Sequence, residues 1–328
     1  MVKKLVRPLA KPINRKMLKK ELTAERFLRS TRMGGNKVFV FDGIDAPHLM
    51  KEVGRLRELT FRDSGAGIGL PIDIDQHDTG PNNCKQLIVW NPVDKEIIGG
   101  YRFNTFEKYQ NQIKKTIPVI NKQLYDFDPE FEKIYAPYFI ELTRAFIQPK
   151  YQQKNKKRVA VFSLDNIWDG LGAVLAKHHL SKYFFGRLII YPSYDPFMRD
   201  LLFFFFKKHL CNKNMVLRAR HPYEIDMINH KPNKYLKYES ADVDFRELQK
   251  IARERNLYVP PLISAYYRAS NSMVVFEPVI DHHFGNCFSA AMMITIKDIK
   301  PNLIKRYVNP YKKHIQSDAI NNELKPMS

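Results

Sequence analysis

Three groups capable of chemistry stand inside one apolar stretch, Phe139-Ile-Glu-Leu-Thr-Arg-Ala-Phe-Ile-Gln-Pro149: the carboxylate of Glu141, the hydroxyl of Thr143 and the guanidinium of Arg144. The aromatic and β-branched content and the terminating proline predict a strand, in which Glu141 and Thr143 share a face and Arg144 breaks the alternation. Burying such groups is costly unless they are paired or used. Two readings are open. In one, Glu141 and Arg144 pair and pin the strand. In the other they work in a site, the carboxylate as a proton acceptor and the guanidinium as a fork for a carboxylate.

The flanking elements would have to position this strand. Val53, Leu56, Leu59 and Thr60 fall at helical spacing, and a loop rich in Gly and Asp follows from Ser64 to Asp78. Lys85–Trp90 and Glu96–Phe103 read as a hairpin around Asn-Pro-Val-Asp-Lys, which sets Arg102 on a strand beside the central one. Residues 104–137 read as a loop with a short helix over the site. A helix is expected from about Leu164 to Leu180, with Ile167, Trp168, Leu171, Val174 and Leu175 on one face. Beyond it come a strand at Phe185–Tyr191, a helix opened by Asp195-Pro196, and a helix at about Asp242–Asn256. The chain closes with a helix from Pro260-Pro261 and strands at Ser272–Phe276 and Cys287–Ile296.

Several of these blocks together resemble one family. Glu141-Leu-Thr-Arg144 followed by Phe-Ile-Gln-Pro-Lys-Tyr, the Arg57…Phe61 helix, Asp75-x-x-Asp78, Gly99-Gly-Tyr-Arg102, Trp168-Asp-Gly170 and the closing Leu262…Arg268, Glu277-Pro…Asp281…Phe284 block are similar to N-acyltransferases of GNAT-type fold. Two groups share these motifs: the acyl-carrier-protein-dependent, hemolysin-like enzymes of ornithine and glycine lipid synthesis, and the acyl-homoserine-lactone synthases. The closing block favours the lipid group, and the signal synthase is the alternative. The resemblance implies a mixed α/β GNAT-like sheet flanked by helices and elaborated at both ends: a basic arm over 1–48, the acyltransferase domain over 49–300 with an insertion at 211–259, and a basic tail over 301–328.

It also implies a reaction, transfer of a long, 3-hydroxylated acyl group from acyl-carrier protein to the amine of glycine or ornithine. The donor's phosphopantetheine, on the carrier protein or coenzyme A, would be substrate, and no cofactor and no metal are expected. A protonated amine cannot attack a thioester, so a base must act, and Glu141 is the carboxylate best placed, with Arg144 beside it. Arg57, Phe61, Asp75, Asp78 and Arg102 would line the acceptor end. Phe146 and Ile147, whose strand would supply oxyanion donors, belong to the donor end. So do Trp168, Gly170 and the cations Lys154, Lys156, Lys157 and Arg158, which stand where GNAT enzymes carry a Gly-rich turn before a helix N-terminus. No cysteine nucleophile is implied.

Composition fits a folded protein of 328 residues, 44% hydrophobic and 12% aromatic, with a net charge of +20 that calls for an acidic partner. Between Lys3 and Lys37 twelve Lys or Arg face only Glu21 and Glu25, and this segment is read either as a solvated face or as a surface for anionic lipid. A basic nucleic-acid-binding protein, with Tyr235 and Tyr238 among cations, is the rival from another class; it leaves Glu141 and Arg144 unexplained, and no nucleic acid is expected. Cys84, Cys211 and Cys287 are too scattered for a disulfide framework or a zinc site. With no signal-peptide segment and no apolar run near the ~20 residues a span needs, a cytoplasmic protein is expected, peripheral on the inner membrane face. Asp73, Asp75 and Asp78 lack a calcium loop's Gly and Glu, and the His221…Asp226 spacing of glycerolipid acyltransferases lacks its companion phosphate motif.

Overall fold

Runs of apolar residues at strand spacing assemble one eight-stranded sheet, β1-β2-β3-β4-β6-β7-β10-β9, in the computed structural model, which describes residues 6–110, 117–152, 162–212, 214 and 217–312. The strands are β1 (Phe27–Ser30), β2 (Lys37–Asp42), β3 (Lys85–Asn91), β4 (Glu96–Thr105), β6 (Phe139–Ile147), β7 (Tyr183–Ile190), β9 (Val274–Asp281) and β10 (Cys287–Thr295). A small pair, β5 (Tyr125–Phe127) with β8 (Leu217–Ala219), stands apart. All pairings in the large sheet are antiparallel except β6 with β7.

That one parallel pairing is short. It holds Phe139–Glu141 against Tyr183–Phe185 and then stops, although both strands run on to Ile147 and Ile190. The sheet therefore opens between β6 and β7 beyond Glu141. Gly186 stands at this fork, where a Cβ would lie 2.9 Å from the carbonyl oxygen of Leu142.

Helices cover both faces. On one side α2 (Pro47–Asp63) buries Leu49, Met50, Val53, Leu56 and Phe61 against Phe39, Phe41, Ile88, Trp90 and Phe146. On the other, α5 (Ser163–Lys177) packs Ile167, Leu171 and Val174 on Val38, Leu87 and Leu142, together with α6 (Pro196–Phe205), α7 (Ala241–Glu254) and α8 (Pro261–Ala269). α6 starts as its sequence dictates, with Pro196 in the first turn and the Asp195 carboxylate accepting the N–H of Met198.

The segment expected to be a separate arm is built into the domain. Val38 and Phe39 bury opposite faces of β2, and β1 and β2 extend the sheet beyond β3. Upstream, the chain straps α2 and its following loop: Arg7 N–H donates to Gly69 O, Ala10 N–H to Pro71 O and Ile13 N–H to Glu52. Its short helix α1 (Arg15–Glu21) ends on the residue that caps α2. Ala46, at the N-cap of α2, has no side-chain oxygen, and Glu21 instead accepts the N–H groups of His48 (3.1 Å) and Leu49 (2.8 Å). Replacing Glu21 by Ala is thus expected to lower stability by about 0.5–2 kcal/mol in urea unfolding; an unchanged midpoint would mean that the cap is idle.

Among the described residues no helix is long and apolar enough to cross a membrane. Residues 104–137 hold, in their described part, β5, a short helix α4 (Pro129–Tyr135) and a 3₁₀ turn over Ile120–Gln123. Strand β9 starts at Val274 and runs through Asp281, beyond the strand expected at Ser272–Phe276.

Candidate active site

Arg144 is the hinge of the central strand. Gly100 pairs with Phe146 and Arg102 with Thr143, so Arg144 and Ala145 stand opposite the single residue Tyr101, a β-bulge. Arg144 adopts φ +52°, a conformation uncommon for a residue with a Cβ. The extra residue shifts the alternation. Glu141, Thr143 and Phe146 lie toward α2, while Leu142, Ala145 and Ile147 pack toward α5. Arg144 breaks the alternation, as its place in the sequence suggests.

On the α2 side the carboxylates and guanidiniums alternate in one chain of contacts. Asp78 is enclosed: its Oδ1 accepts from Arg57 and Gln86, both at 2.9 Å, and its Oδ2 from Arg102 at 3.2 Å and from the N–H of Asp75. Arg102, 1% exposed, also donates to Asp75 Oδ1 at 2.7 Å and to Thr143 at 2.9 Å. Asp75 Oδ2 lies 3.6 Å from Arg144, whose Nε is 2.8 Å from Asp73 Oδ2. The last contact is between charges only, because neither Arg144 Nε nor either Asp73 oxygen completes an aligned hydrogen bond. Arg144 also lies over the ring of Phe284, 4.8 Å from its centroid, and Phe284 meets Phe61 edge-on at 4.9 Å. Burial alone would raise Asp78 and Asp75, but the guanidiniums outweigh it and hold both carboxyls below the usual range.

Glu141 does not pair with Arg144. It is buried, and three donors from the turn at 120–123 engage both of its oxygens: Ile120 N–H at 2.9 Å on Oε2, and Asn121 N–H at 3.0 Å and Asn121 Nδ2 at 2.8 Å on Oε1. Burial pushes its carboxyl up to about 7, against the lowering effect of those donors. The structural alternative for this strand is therefore a Glu141–Asn121 clamp rather than a Glu141–Arg144 bridge.

The other expected site residues divide plainly. Arg57 and Phe61 are fully enclosed, so Arg57 can act only through Asp78 and Gln86, and Phe61 only through Phe284. Asp75 and Arg144 reach solvent, with side chains 33% and 14% exposed. Phe146 is core, and Ile147 is half-buried on the opposite face. Lys154, Lys156, Lys157 and Arg158 lie outside the described residues. Trp168 packs on Tyr266 and Tyr307, whereas a Cβ on Gly170 would meet Leu87 and Val38, so this glycine brings α5 down on the sheet. Asp169 between them binds the N–H and side chain of Arg32. Asp73, His77, Gln86, Asn121 and Phe284 complete the arrangement; Asp73 was visible in the sequence only as part of an acidic loop, and Phe284 as part of the closing block.

Across the sheet, where the β6–β7 ladder ends, an apolar cavity of about 40 Å³ is walled by Leu142, Phe184, Trp168, Leu175, Ala269 and Tyr307, among others. The cavity lies beneath the last paired residues of the two strands, where Leu142 and Phe184 meet Ile294, and so borders the fork at Leu142; the charge network lies on the opposite face. Burial pushes the thiols of Cys84 and Cys287 up to about 12, which leaves them inert as nucleophiles at neutral pH.

Known proteins resemble this chain over most of its length. Residues 56–161 match the acetyltransferase (GNAT) domain family. A glycine N(alpha)-acyltransferase of Phocaeicola vulgatus is 34% identical over 96% of this chain and 97% of its own length. One of Bacteroides thetaiotaomicron is 33% identical over 92% and 90%. Two solved structures of a CoA-dependent acyl-homoserine lactone synthase, one with SAM and isopentyl-CoA and one with MTA, cover 84% of this chain and 90% of theirs at TM-scores of 0.36 and 0.34, with 10% and 11% identity. With a third of its residues shared over nearly the full length of two such enzymes, the chain belongs to their family and is a GNAT-fold N-acyltransferase.

Proposed function

We propose that this enzyme moves a long acyl group from the thioester of acyl-carrier protein to the amine of glycine, giving an N-acylated amino acid that a second acyltransferase can convert to a lipid. The observation that carries the reading is the opening of the sheet beyond Glu141, with an apolar cavity that borders it at Leu142 on one face and a charged, partly exposed network on the other. A thioester carbonyl in the fork would have its alkyl chain on the cavity side and its electrophilic carbon toward the charges. Glycine is favoured over ornithine by the names of the two relatives. Expression in a host without amino-acid lipids tests this: new N-acylglycine in the extract supports it, and an unchanged lipid profile with a working carrier protein contradicts it.

The cavity as it stands holds only a fragment of a long chain, so its walls must yield or its occupant must be short. Ala269→Phe fills it from α8 and should depress kcat/KM for long-chain thioesters at least tenfold more than for short ones, one lost methylene contact after another. Equal losses for both would place the chain elsewhere.

The donor's carrier and the membrane belong to the same proposal. Lys154, Lys156 and Lys157 precede α5 in sequence, and reversing their charge should raise the KM for acyl-carrier protein more than for acyl-coenzyme A, since only the carrier adds an acidic protein face. Lys11, Lys16, Lys19 and Lys20 are exposed on the N-terminal segment and suit an anionic lipid surface. Because that segment also caps α2 and edges the sheet, the membrane role is to be tested by charge reversal at these lysines and vesicle sedimentation, not by deletion.

A further inference from the structure

We propose that His77 is the base that takes the proton of the acceptor amine, with Asp75 beside it holding the ammonium before transfer. This rests on the acyl-transfer reading above and assigns its proton step. Access decides between the candidates. Glu141, Asp78 and Arg102 are sealed, and both Glu141 oxygens already accept N–H groups, so an amine could reach Glu141 only by displacing the 120–123 turn. The same network comes to the surface at Asp75, His77 and Arg144.

His77 follows Asp75 by two residues in the turn α3 (Gln76–Thr79), and its own N–H donates to Asp75 Oδ1 at 2.8 Å. Its ring Nε2 lies 2.9 Å from the amide nitrogen of Gln123, an exposed side chain. With the amide donating, Nε2 carries the lone pair, and an amine can take the place of the exposed glutamine head. The groups that face His77 are Asp75 and Asp78 on its own turn, Arg102 on β4, Arg144 on β6 and Gln123 on the 3₁₀ turn. Burial and Arg102 together lower the imidazole below its usual range, which keeps it unprotonated and ready at neutral pH. Asp75, held ionised by Arg102, suits binding the ammonium but is too weak a base to deprotonate it.

The step balances. One ammonium proton passes to Nε2, and the freed lone pair forms the C–N bond at the thioester carbon. As the C–S bond breaks, the thiolate leaves with the second nitrogen proton, and the imidazolium returns its proton to water.

The test is the pH dependence of kcat/KM for glycine with one thioester, in wild type, His77→Gln, Gln123→Glu and Glu141→Gln. His77→Gln is expected to lose about 10²-fold or more in rate and to lose the acidic limb, with little change in melting temperature. Gln123→Glu sets a carboxylate against Nε2, favours the imidazolium, and should move that limb to higher pH. A limb that survives His77→Gln at wild-type rate, stays fixed in Gln123→Glu, or disappears only in Glu141→Gln overturns the assignment. If His77→Gln does not fold, Gln123→Glu decides alone. An active wild type with an indifferent His77→Gln sinks this inference and spares the proposed reaction, whereas a wild type that makes no N-acyl product sinks both.

Discussion

Arg102→Met should cost about 3–5 kcal/mol of stability, a large part of the 5–15 kcal/mol typical of a folded domain. Arg102 is buried and is shared by Asp75, Asp78 and Thr143, so its loss leaves three carboxylates of the network, Asp73, Asp75 and Asp78, facing only Arg57 and Arg144. An uncompensated charge in a dry interior is the expensive outcome, more so than the loss of any one hydrogen bond. The charge argument has its own control. Adding Asp75→Asn to Arg102→Met restores two carboxylates against two guanidiniums and should return part of the lost stability. Urea unfolding of the two single variants and the double variant forms the cycle. Simple addition of the two losses would show that the network is a set of independent pairs.

Glu141→Gln carries the second large effect, and its sign depends on pH. In the fold the Glu141 carboxyl stands at about 7, against an ordinary value of 4.5, because burial disfavours its charge. A group whose folded value is raised adds stability that is complete below its unfolded value and is lost as pH rises through the folded one. The wild type should therefore weaken between about pH 4.5 and 7 by roughly 3 kcal/mol from this residue, and a glutamine, which does not titrate, should not. Measured from pH 5 to pH 8, the stability difference should move toward the variant by that amount. A difference that stays flat with pH would mean Glu141 is ionised throughout. Activity should fall at every pH, by about 10²-fold, because the amide of glutamine must point a donor at Ile120 or Asn121 and push away the turn that carries Gln123.

What could be read in the chain beforehand was whatever local pattern controls. The hairpin β3–β4, the central strand, α5, the Asp195-Pro196 start of α6, α7 and α8 all follow from periodicity and caps, and the structure has each within a few residues. The motif residues Arg57, Asp75, Asp78, Arg102, Arg144 and Glu141 do converge on one side of the sheet. Four things were hidden, each for a physical reason. Strands β1 and β2 lie in the most basic part of the chain, where the cations Arg29 and Lys37 mask the alternation of Val38, Phe39 and Phe41. The polarity of Arg144 marks where the alternation breaks, but not the bulge and positive φ that break it, which depend on pairing with β4, a partner remote in sequence. The clamp on Glu141 comes from backbone N–H groups of Ile120 and Asn121, and backbone donors leave no trace in residue type. His77 was a single histidine among ten, and the role proposed for it rests on its place between the partly exposed Asp75, the buried Asp78 and an exposed glutamine.

The most direct test of the account is a single reconstitution: purified protein, a long-chain acyl thioester of acyl-carrier protein, and equimolar glycine and ornithine, with products separated by mass spectrometry. The account predicts N-acylglycine in excess over N-acylornithine, formed at the rate at which free thiol appears. Thiol release without an N-acyl amino acid, or a product on ornithine alone, would contradict it.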